Sequence, residues 1–408
     1  MDAADSCKIQ TKQKKIYCIK NFGDRRMVKI GVLSLYYNNY NYGGLLQAYA
    51  LIYELKKLGF DAEQISFDLS TSPAVFKKTK IEKLKNDPFG YVYKNTFGKL
   101  AAKVFHDSHE DFITQKTAVR RESFRSFMET IPHSRVYTSS DIASSNDVYD
   151  IFLCGSDQVW NPSYLRSEFL LDFVQPEKKK YSYAASIGKD NLNPQEVAYL
   201  NAKTQDYTAV SLRERTCMGL FDRETTWVLD PTMLLDKNEW RTVSKKYPIN
   251  DKYVFVYFLG DTKEHRTAVT EYAKKHDLKI VTFPHILNQF RESDDGFGDY
   301  EIYDADPTQF LYLIDHSECV FTDSFHAVVF SCLFEKHFLV FERDFKDKKE
   351  RMNSRLISLL GLLNQTERLC SANDFSESVL MKPNDALQSE AFRELQRSSV
   401  AFLINLDQ

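Results

Sequence analysis

The sequence has 408 residues, more than one hydrophobic core usually holds, so we expect two domains. Hydrophobic residues make up 43% and charged residues 27%, which is typical of a globular protein and argues against a disordered or fibrous chain. The 54 basic and 57 acidic residues leave a net charge of −3, which gives no electrostatic reason to expect a nucleic-acid partner.

The seven cysteines are scattered, and no two of them form a Cys-x-x-Cys pair. This spacing favours reduced thiols in a cytoplasmic protein over disulfides or zinc, and we expect no metal. No apolar run reaches the roughly 18 residues that a membrane span requires. Residues 1–26 are polar and lack an apolar signal region, so we expect a disordered tail; a translation start at Met27 is the alternative.

Residues 27–240 alternate between strand and helix patterns, which predicts a parallel α/β domain. An apolar run at 28–36 is followed by a polar loop, a stretch with helical spacing and a second strand pattern. Residues 71–135 are irregular and rich in Lys and Phe, and we expect a helical insertion there. Strand patterns then resume at 149–154, 180–185 and 209–212.

A polar stretch with a proline at 236–252 predicts a domain boundary. Residues 250–383 repeat the alternation of strand and helix patterns, so they predict a second parallel α/β domain. Residues 384–408 have helical spacing and are expected to cross back to the first domain. The expected fold class is therefore α/β, with two Rossmann-like domains facing each other across a cleft.

Two polar motifs lie at predicted strand ends, where parallel α/β sheets bind ligands. At 41–44, two glycines precede a helix whose N-terminus can attract an anion, although an ordinary tight turn explains them equally well. The motif GSDQVWNP (155–162) follows a buried strand; its tryptophan either packs beneath the loop or faces a sugar ring. The candidate acceptor-binding residues in these motifs are Asn41, Tyr42, Gly43, Ser156, Asp157, Gln158 and Trp160.

An arginine and a histidine follow two further strands. Arg213, in SLRER (211–215), can clamp a carboxylate or phosphate, or form an ordinary salt bridge. His326 lies in the first turn of a predicted helix, where it can donate to an oxyanion or act as general acid or base. Asp323 and Ser324 precede it, and helix capping is their alternative role.

Five motifs in this order resemble the polysaccharide pyruvyl transferase family: NYGGLLQAYAL (41–51), YDIFLCGSDQVWNP (149–162), SLRER (211–215), DPTQFLYLI (306–314) and TDSFHAVVFSCLFEKHF (322–338). The resemblance implies a GT-B-like fold and transfer of pyruvate from phosphoenolpyruvate to two hydroxyls of a sugar, giving a cyclic ketal. The implied acceptor is a galactose- or mannose-type hexose of a bacterial capsule or exopolysaccharide, or its lipid-linked repeat unit. The resemblance implies neither a cofactor nor a metal.

The resemblance also implies roles for individual residues. Arg213 and His326 match the family's donor-binding and catalytic positions. Some relatives carry an arginine two places before the histidine, where this chain has Ser324, so another cation must contribute to donor binding; the candidates are Arg343, Lys336 and the helix N-terminus. The expected donor-binding residues are Arg213, Ser324, His326, Arg343 and Lys336. We expect the acid–base chemistry to be carried by His326, Asp157 and Asp323.

Two other functions fit the predicted architecture. One is a GT-B glycosyltransferase that uses a nucleotide sugar, and the other is a non-catalytic saccharide-binding subunit. For the pyruvyl transferase, an acceptor on a polyprenyl diphosphate carrier would place the protein at the cytoplasmic face of the inner membrane. The Lys- and Phe-rich segment 73–105 could contact that surface, and a solvated helical cap is the simpler explanation of its composition.

Overall fold

The computed structural model describes residues 27–76, 108–189, 191–285, 291–343 and 354–408. The predicted tail at 1–26 and most of the 73–105 segment lie outside these residues. The described strands form two sheets, and every pair of neighbouring strands is parallel.

The first sheet has seven strands in the order β3-β2-β1-β4-β5-β6-β7. They are β1 Lys29–Leu33, β2 Asp61–Phe67, β3 His133–Tyr137, β4 Ile151–Cys154, β5 Lys179–Ala185, β6 Ala209–Leu212 and β7 Thr226–Trp227. Strand β4 is buried at every position, as expected for an apolar strand in a parallel sheet covered on both faces. The strand order reverses between β1 and β4, so the loops after these strands diverge and leave a crevice.

The second sheet has six strands in the order β10-β9-β8-β11-β12-β13. They are β8 Tyr253–Tyr257, β9 Lys279–Thr282, β10 Tyr300–Glu301, β11 Cys319–Thr322, β12 His337–Phe341 and β13 Leu369–Cys370. Its order reverses between β8 and β11. Each sheet thus has one switch point at the carboxyl edge of its central strands, where open α/β sheets bind ligands.

Ten α-helices lie in the described residues, and none has the length and apolarity to cross a membrane. They are α1 Tyr42–Lys57, α2 Ser108–Met128, α3 Pro194–Thr204, α4 Lys237–Val243, α5 Lys263–Lys275, α6 Pro307–Asp315, α7 Phe325–Leu333, α8 Ser354–Leu362, α9 Glu377–Leu380 and α10 Glu390–Ile404. Helix α2 lies within the range predicted for the helical insertion.

Helix α1 joins the two halves of the molecule. Tyr42 in its first turn is fully buried, and its ring stacks on Phe310 of α6 with centroids 4.7 Å apart. The Tyr42 hydroxyl donates to the Ala305 carbonyl at 2.9 Å. The apolar core is therefore continuous between the first sheet's helix and the second domain.

The C-terminal helix α10 packs against the first domain. The Leu229 amide donates to Ser399 Oγ at 2.9 Å, and Gln396 Nε2 donates to the Met233 carbonyl at 3.0 Å. Just beyond α10, the Leu406 carbonyl accepts from the Tyr181 hydroxyl at 2.9 Å. The C-terminal segment thus packs on the first domain, and the predicted α/β class with two parallel-sheet Rossmann-like domains is confirmed.

Candidate active site

The switch points of the two sheets meet at His326. This histidine lies in the first turn of α7, directly after β11, and its imidazole packs against Gly43 in the first turn of α1. A Cβ atom added to Gly43 would lie 2.6 Å from His326 Cε1 and closer still to the Nδ1 and Cγ atoms. Glycine is therefore required at position 43 for the ring to cross from one domain to the other.

Asp230 faces the other side of the imidazole. Its Oδ2 atom lies 3.5 Å from His326 Nε2, within ion-pair range but not aligned as a hydrogen bond. Its Oδ1 atom accepts from the Thr232 amide at 3.0 Å and from the Thr232 hydroxyl at 2.7 Å. Burial raises the pKa of the Asp230 carboxyl, but the charges of His326 and Arg213 outweigh it and hold that pKa below its ordinary value.

Arg213 is buried at the end of β6 and is surrounded by carboxylates. Its Nη1 donates to Asp230 Oδ2 at 2.8 Å, its Nη2 lies 3.3 Å from Asp157 Oδ1, and its Nε lies 3.6 Å from Glu214 Oε1. Burial lowers the pKa of Arg213, yet the three acidic groups raise it above its ordinary value. The guanidinium also lies 4.5 Å from the centroid of the Phe325 ring, so Arg213 contacts both domains.

The GSDQVWNP loop reaches this cluster through its backbone geometry. Gly155 has a φ of 118°, and a side chain there would collide with the Tyr183 carbonyl. Asp157 has a left-handed φ of 62°, and its carbonyl accepts from the Ser186 amide at 2.9 Å. The preceding Ser156 is buried, and its hydroxyl donates to the Ala184 carbonyl at 3.2 Å. The loop is thereby fastened to β5, with the Asp157 carboxylate beside Arg213.

Three predicted acceptor residues have structural roles here. Trp160 is fully buried, and its Nε1 donates to the Phe169 carbonyl at 3.0 Å; it packs beneath the loop and presents no face to a sugar. Tyr42 is buried against α6, so the predicted acceptor contact does not fit its position. Asn41 is the N-cap of α1, and its Oδ1 accepts from the Gly44 amide at 3.1 Å.

Asp323 joins the ends of two strands. Its carboxylate accepts from the Leu259 and Gly260 amides after β8, at 2.7 and 2.6 Å, and pairs with Arg343 at 3.3 Å. These contacts indicate that Asp323 positions the β11–α7 turn, which argues against the predicted acid–base role. Ser324, the next residue, is the buried N-cap of α7, although its side chain makes no capping hydrogen bond.

The two predicted spare cations lie at opposite ends of β12. Arg343 follows the strand, at the carboxyl edge that faces the other domain, and its Nη2 donates to the Asp323 carbonyl at 2.6 Å. Lys336 precedes the strand, and its Nζ donates to the Asp315 carbonyl at 3.1 Å. Lys336 therefore lies at the wrong edge of the sheet for the predicted donor contact.

Arg355 was not predicted from the sequence as a site residue. This residue of α8 is buried, and with the Gln158 amide oxygen turned toward it, its Nη1 and Nη2 lie 2.8 and 3.2 Å from that oxygen. Its Nε has no hydrogen-bond partner among the described residues. Burial, and then the charge of Arg213, lower the pKa of Arg355 to about 10. Arg355 is the one charged residue of helix α8, which was the available signal.

Arg213 and Arg355 line a pocket between the domains. Asp230 and Glu214 line it from the first domain, and Phe325 and Ser358 line it from the second. Asp230, like Arg355, was not identified as a site residue from the sequence. Its two guanidinium groups suit an anionic ligand.

Residues 41–344 match the family described as polysaccharide pyruvyl transferase. The chain belongs to the polysaccharide pyruvyl transferase family. The matched range contains Gly43, Asp157, Arg213, Asp230 and His326, and the family assignment makes the protein a transferase. No curated protein matched the sequence.

Solved structures with the same architecture include UDP-N-acetylglucosamine 2-epimerases. One crystal structure of such an enzyme is 12% identical, with a TM-score of 0.52 over 93% of this chain and 96% of that chain. The UDP co-structure of S. aureus MnaA is also 12% identical, with a TM-score of 0.51 over 93% of this chain and 98% of that chain. At this identity the likeness concerns the fold, which is GT-B-like.

Proposed function

We propose that this transferase moves pyruvate from phosphoenolpyruvate to two hydroxyls of a sugar, forming a cyclic ketal and releasing phosphate. The observation that carries the proposal is the cluster of Arg213, Asp230 and His326, which joins the switch points of both sheets. These residues come from separate segments within the range that matches the family.

The donor is assigned to the pocket between the domains. Phosphoenolpyruvate has a carboxylate and a phosphate, and the pocket offers Arg213 and Arg355. Arg213 already has three carboxylate neighbours, whereas the Arg355 Nε is buried and has no hydrogen-bond partner in the described part of the chain. Arg355 thus supplies the cation that some relatives carry two places before the histidine, where this chain has Ser324. The N-terminus of α7 favours an anion at the same place.

The reaction needs one proton donor and one proton acceptor. Protonation of the methylene carbon of the donor leaves an oxocarbenium-like centre at its second carbon, which the first sugar hydroxyl attacks. The bond from that carbon to the phosphate oxygen then breaks, and the second hydroxyl closes the ketal. The two sugar hydroxyls lose one proton each. One of these protons accounts for the hydrogen added to the methylene carbon, and the other protonates the released phosphate. General acid and base groups each accelerate such steps by roughly 10²–10⁴-fold.

His326 is the proposed acid or phosphate contact, and Asp157 is the proposed acceptor-side base. The Asp230 carboxylate holds the imidazole from one side while Gly43 allows its approach from the other. Asp157 lies beside Arg213 and is the more exposed of the two, with 14% of its side chain accessible against 3% for Arg213. Ser156 and Gln158 hold the Asp157 loop, and Gln158 also faces Arg355.

The acceptor and the setting of the reaction are proposed on the family resemblance. The acceptor is a galactose- or mannose-type hexose in a surface polysaccharide repeat unit, free or linked to a polyprenyl diphosphate. The protein then works in the cytoplasm, at the inner membrane face when its acceptor is lipid-linked. The reaction itself requires no cofactor and no metal, because no electron transfer or hydrolysis of an unactivated bond is involved.

Mass spectrometry of candidate sugars after incubation with phosphoenolpyruvate tests the proposal. We expect the mass gain of one pyruvyl ketal together with one phosphate released per ketal formed. His326→Ala should abolish both signals, whereas His316→Ala, on the surface at the end of α6, should retain them. Glycosyl transfer from a nucleotide sugar, without ketal formation from phosphoenolpyruvate, would refute the proposal.

A further inference from the structure

A second cationic cluster lies at the carboxyl edge of the second sheet. It consists of Arg120, His285, Arg291 and Arg343, and it contains neither Arg213 nor Arg355. His285 follows β9, Arg343 follows β12, and Arg120 comes from helix α2 of the first domain. The cluster therefore lies between the domains, next to the switch point of the second sheet.

Arg120 is the most informative member of this cluster. It is only 3% exposed, and its buried Nε and Nη2 atoms have no hydrogen-bond partner among the described residues. Its guanidinium lies 5.5 Å from the centroid of the Tyr42 ring, a weak contact for a buried charge. An unpaired buried cation is costly, so a site that retains one is suited to an anionic ligand.

The other members share this electrostatic environment. Arg291 Nη1 donates to the Leu259 and Gly260 carbonyls at 2.6 and 3.3 Å, which leaves its charge without a carboxylate hydrogen bond in the described structure. Burial, followed by the charges of Arg291, Arg120 and Arg343, lowers the pKa of His285 to about 4. The positive charges of three guanidinium groups thus all disfavour protonation of the His285 imidazole.

Three carboxylates lie near the cluster, and each has a hydrogen-bond donor of its own. Asp323 accepts from two backbone amides and pairs with Arg343. Asp294 accepts from Arg266 Nε at 3.0 Å, and Asp261 accepts from the Ser293 hydroxyl. Four arginines, Arg120, Arg266, Arg291 and Arg343, therefore face these three carboxylates, so the region keeps a net positive charge, unlike the donor pocket, where three carboxylates surround Arg213.

We propose that the second cationic cluster binds a phosphate or diphosphate ester carried by the acceptor sugar, at a subsite separate from the donor pocket. This inference rests on the proposed function, because it assigns one anionic substrate to each cluster. The turn from Asp323 to His326 connects the clusters, since Asp323 holds Arg343 and His326 contacts Asp230. An ester anchored beside Arg120 would therefore carry its sugar along the cleft toward His326.

Equilibrium binding to the full chain tests this subsite without requiring turnover. The probes are inorganic diphosphate alone, phosphoenolpyruvate alone, and each in the presence of the other. We expect both to bind, with neither displacing the other. Arg120→Gln should weaken diphosphate binding by about 10- to 100-fold, the loss expected for charge-assisted contacts, and leave the affinity for phosphoenolpyruvate within about twofold.

Two further variants keep the test decisive. Both affinities are also measured for Arg291→Gln, so the subsite can still be tested if Arg120→Gln fails to fold. Arg241→Gln, which removes an exposed arginine paired with Asp315, should leave both affinities unchanged. Diphosphate binding that competes with phosphoenolpyruvate, or that survives both Arg120→Gln and Arg291→Gln, would overturn the subsite. A chain that binds diphosphate at Arg120 but forms no ketal would instead refute the proposed function.

The source of the phosphate is then resolved by kinetics. A prenyl-linked sugar diphosphate, a nucleotide-linked sugar diphosphate and the free sugar serve as acceptors. We expect Arg120→Gln to raise the KM of a diphosphate-linked acceptor by about 10-fold or more and leave the KM of the free sugar unchanged. The diphosphate-linked acceptor whose KM rises most in Arg120→Gln is the class of acceptor that the subsite binds. An equal change for the free sugar would contradict a phosphate-specific contact.

Discussion

Gly43→Ala is the sharpest test of how the two domains assemble the site. The added Cβ would lie 2.6 Å from His326 Cε1, whereas ordinary contacts of this kind are 3.4–4 Å long. Since Gly43 lies in the first turn of a packed helix, the imidazole must move by about 1 Å or more to relieve the clash. The same substitution improves helix propensity, so its effect on α1 alone should be favourable.

The clash with His326 and the gain in helix propensity can be separated by measuring Gly43→Ala both in the wild type and in the His326→Ala variant. Overpacking at His326 should cost about 1–3 kcal/mol, against a helix-propensity gain of about 1 kcal/mol. In the wild-type background the free energy of unfolding should therefore fall by about 0–2 kcal/mol. With His326→Ala the clash disappears, and Gly43→Ala should raise that free energy by about 0.5–1 kcal/mol. In the wild-type background kcat/KM should fall about 10²-fold, because the imidazole is misplaced.

Denaturant unfolding of the wild type, both single variants and the double variant measures the coupling energy. The expected value is about 1–3 kcal/mol. Gly361→Ala in α8 is the matched control, because Gly361 is exposed and a Cβ atom added there would meet no described atom within 4 Å. It should stabilise the protein slightly and preserve activity. Additive effects of Gly43→Ala and His326→Ala would refute the proposed contact between these residues.

Three further predictions concern charges. Asp230→Asn removes a buried partner of Arg213, so the free energy of unfolding should fall by about 3–5 kcal/mol in denaturant titrations, and an unchanged value would contradict the pairing. Arg355→Gln should raise the KM for phosphoenolpyruvate about 10-fold or more in steady-state assays, and adding Ser324→Arg should restore part of the loss. The pKa of His285 is about 4 in the folded state against 6.5 ordinarily, so the unfolded state binds more protons between these values. Stability should therefore fall by about 1–2 kcal/mol as the pH drops from 7 to 5, and His285→Gln should remove this slope.

The fold was predictable because its signals are local. Apolar runs of strand length alternate with amphipathic stretches, and capping residues mark the helix starts. Asp306, for example, precedes Pro307 and caps α6, where its Oδ1 accepts from the Thr308 and Gln309 amides at 2.7 and 2.9 Å. Such patterns depend on neighbours in the sequence, so no tertiary information is needed to interpret them.

Asp230 shows why part of the site could not be predicted. In the sequence it precedes Pro231 after a short strand, which indicates a turn, and its Oδ1 atom indeed closes that turn on Thr232. Its Oδ2 atom contacts Arg213 and His326, which are 17 and 96 residues away. The Asp230 carboxylate thus closes a local turn, which the sequence predicts. It also contacts two residues that are distant in the sequence, which no local pattern predicts.

The errors among the predicted binding residues have different causes. Trp160 and Tyr42 are aromatic residues at strand or helix ends, where a rotation of the backbone decides between the core and the cleft. No local pattern encodes that rotation. Lys336 could have been excluded from the sequence, because it precedes β12, whereas ligands bind beyond the carboxyl ends of parallel strands. Arg343, seven residues later, satisfies that rule.

Ser324 and Arg355 are best understood together. Ser324 is buried at the start of α7. It precedes Phe325, whose ring contacts the Arg213 guanidinium. An arginine at 324, as in some relatives, would add a cation to a pocket that already holds Arg213 and Arg355. Burial, and then the like charge of Arg213, lower the pKa of Arg355, so a third guanidinium in this pocket would be costly. Under the proposed function Arg355 supplies this cation from α8, so a small neutral residue at 324 is favourable, and the donor-binding charge comes from a different helix than in those relatives.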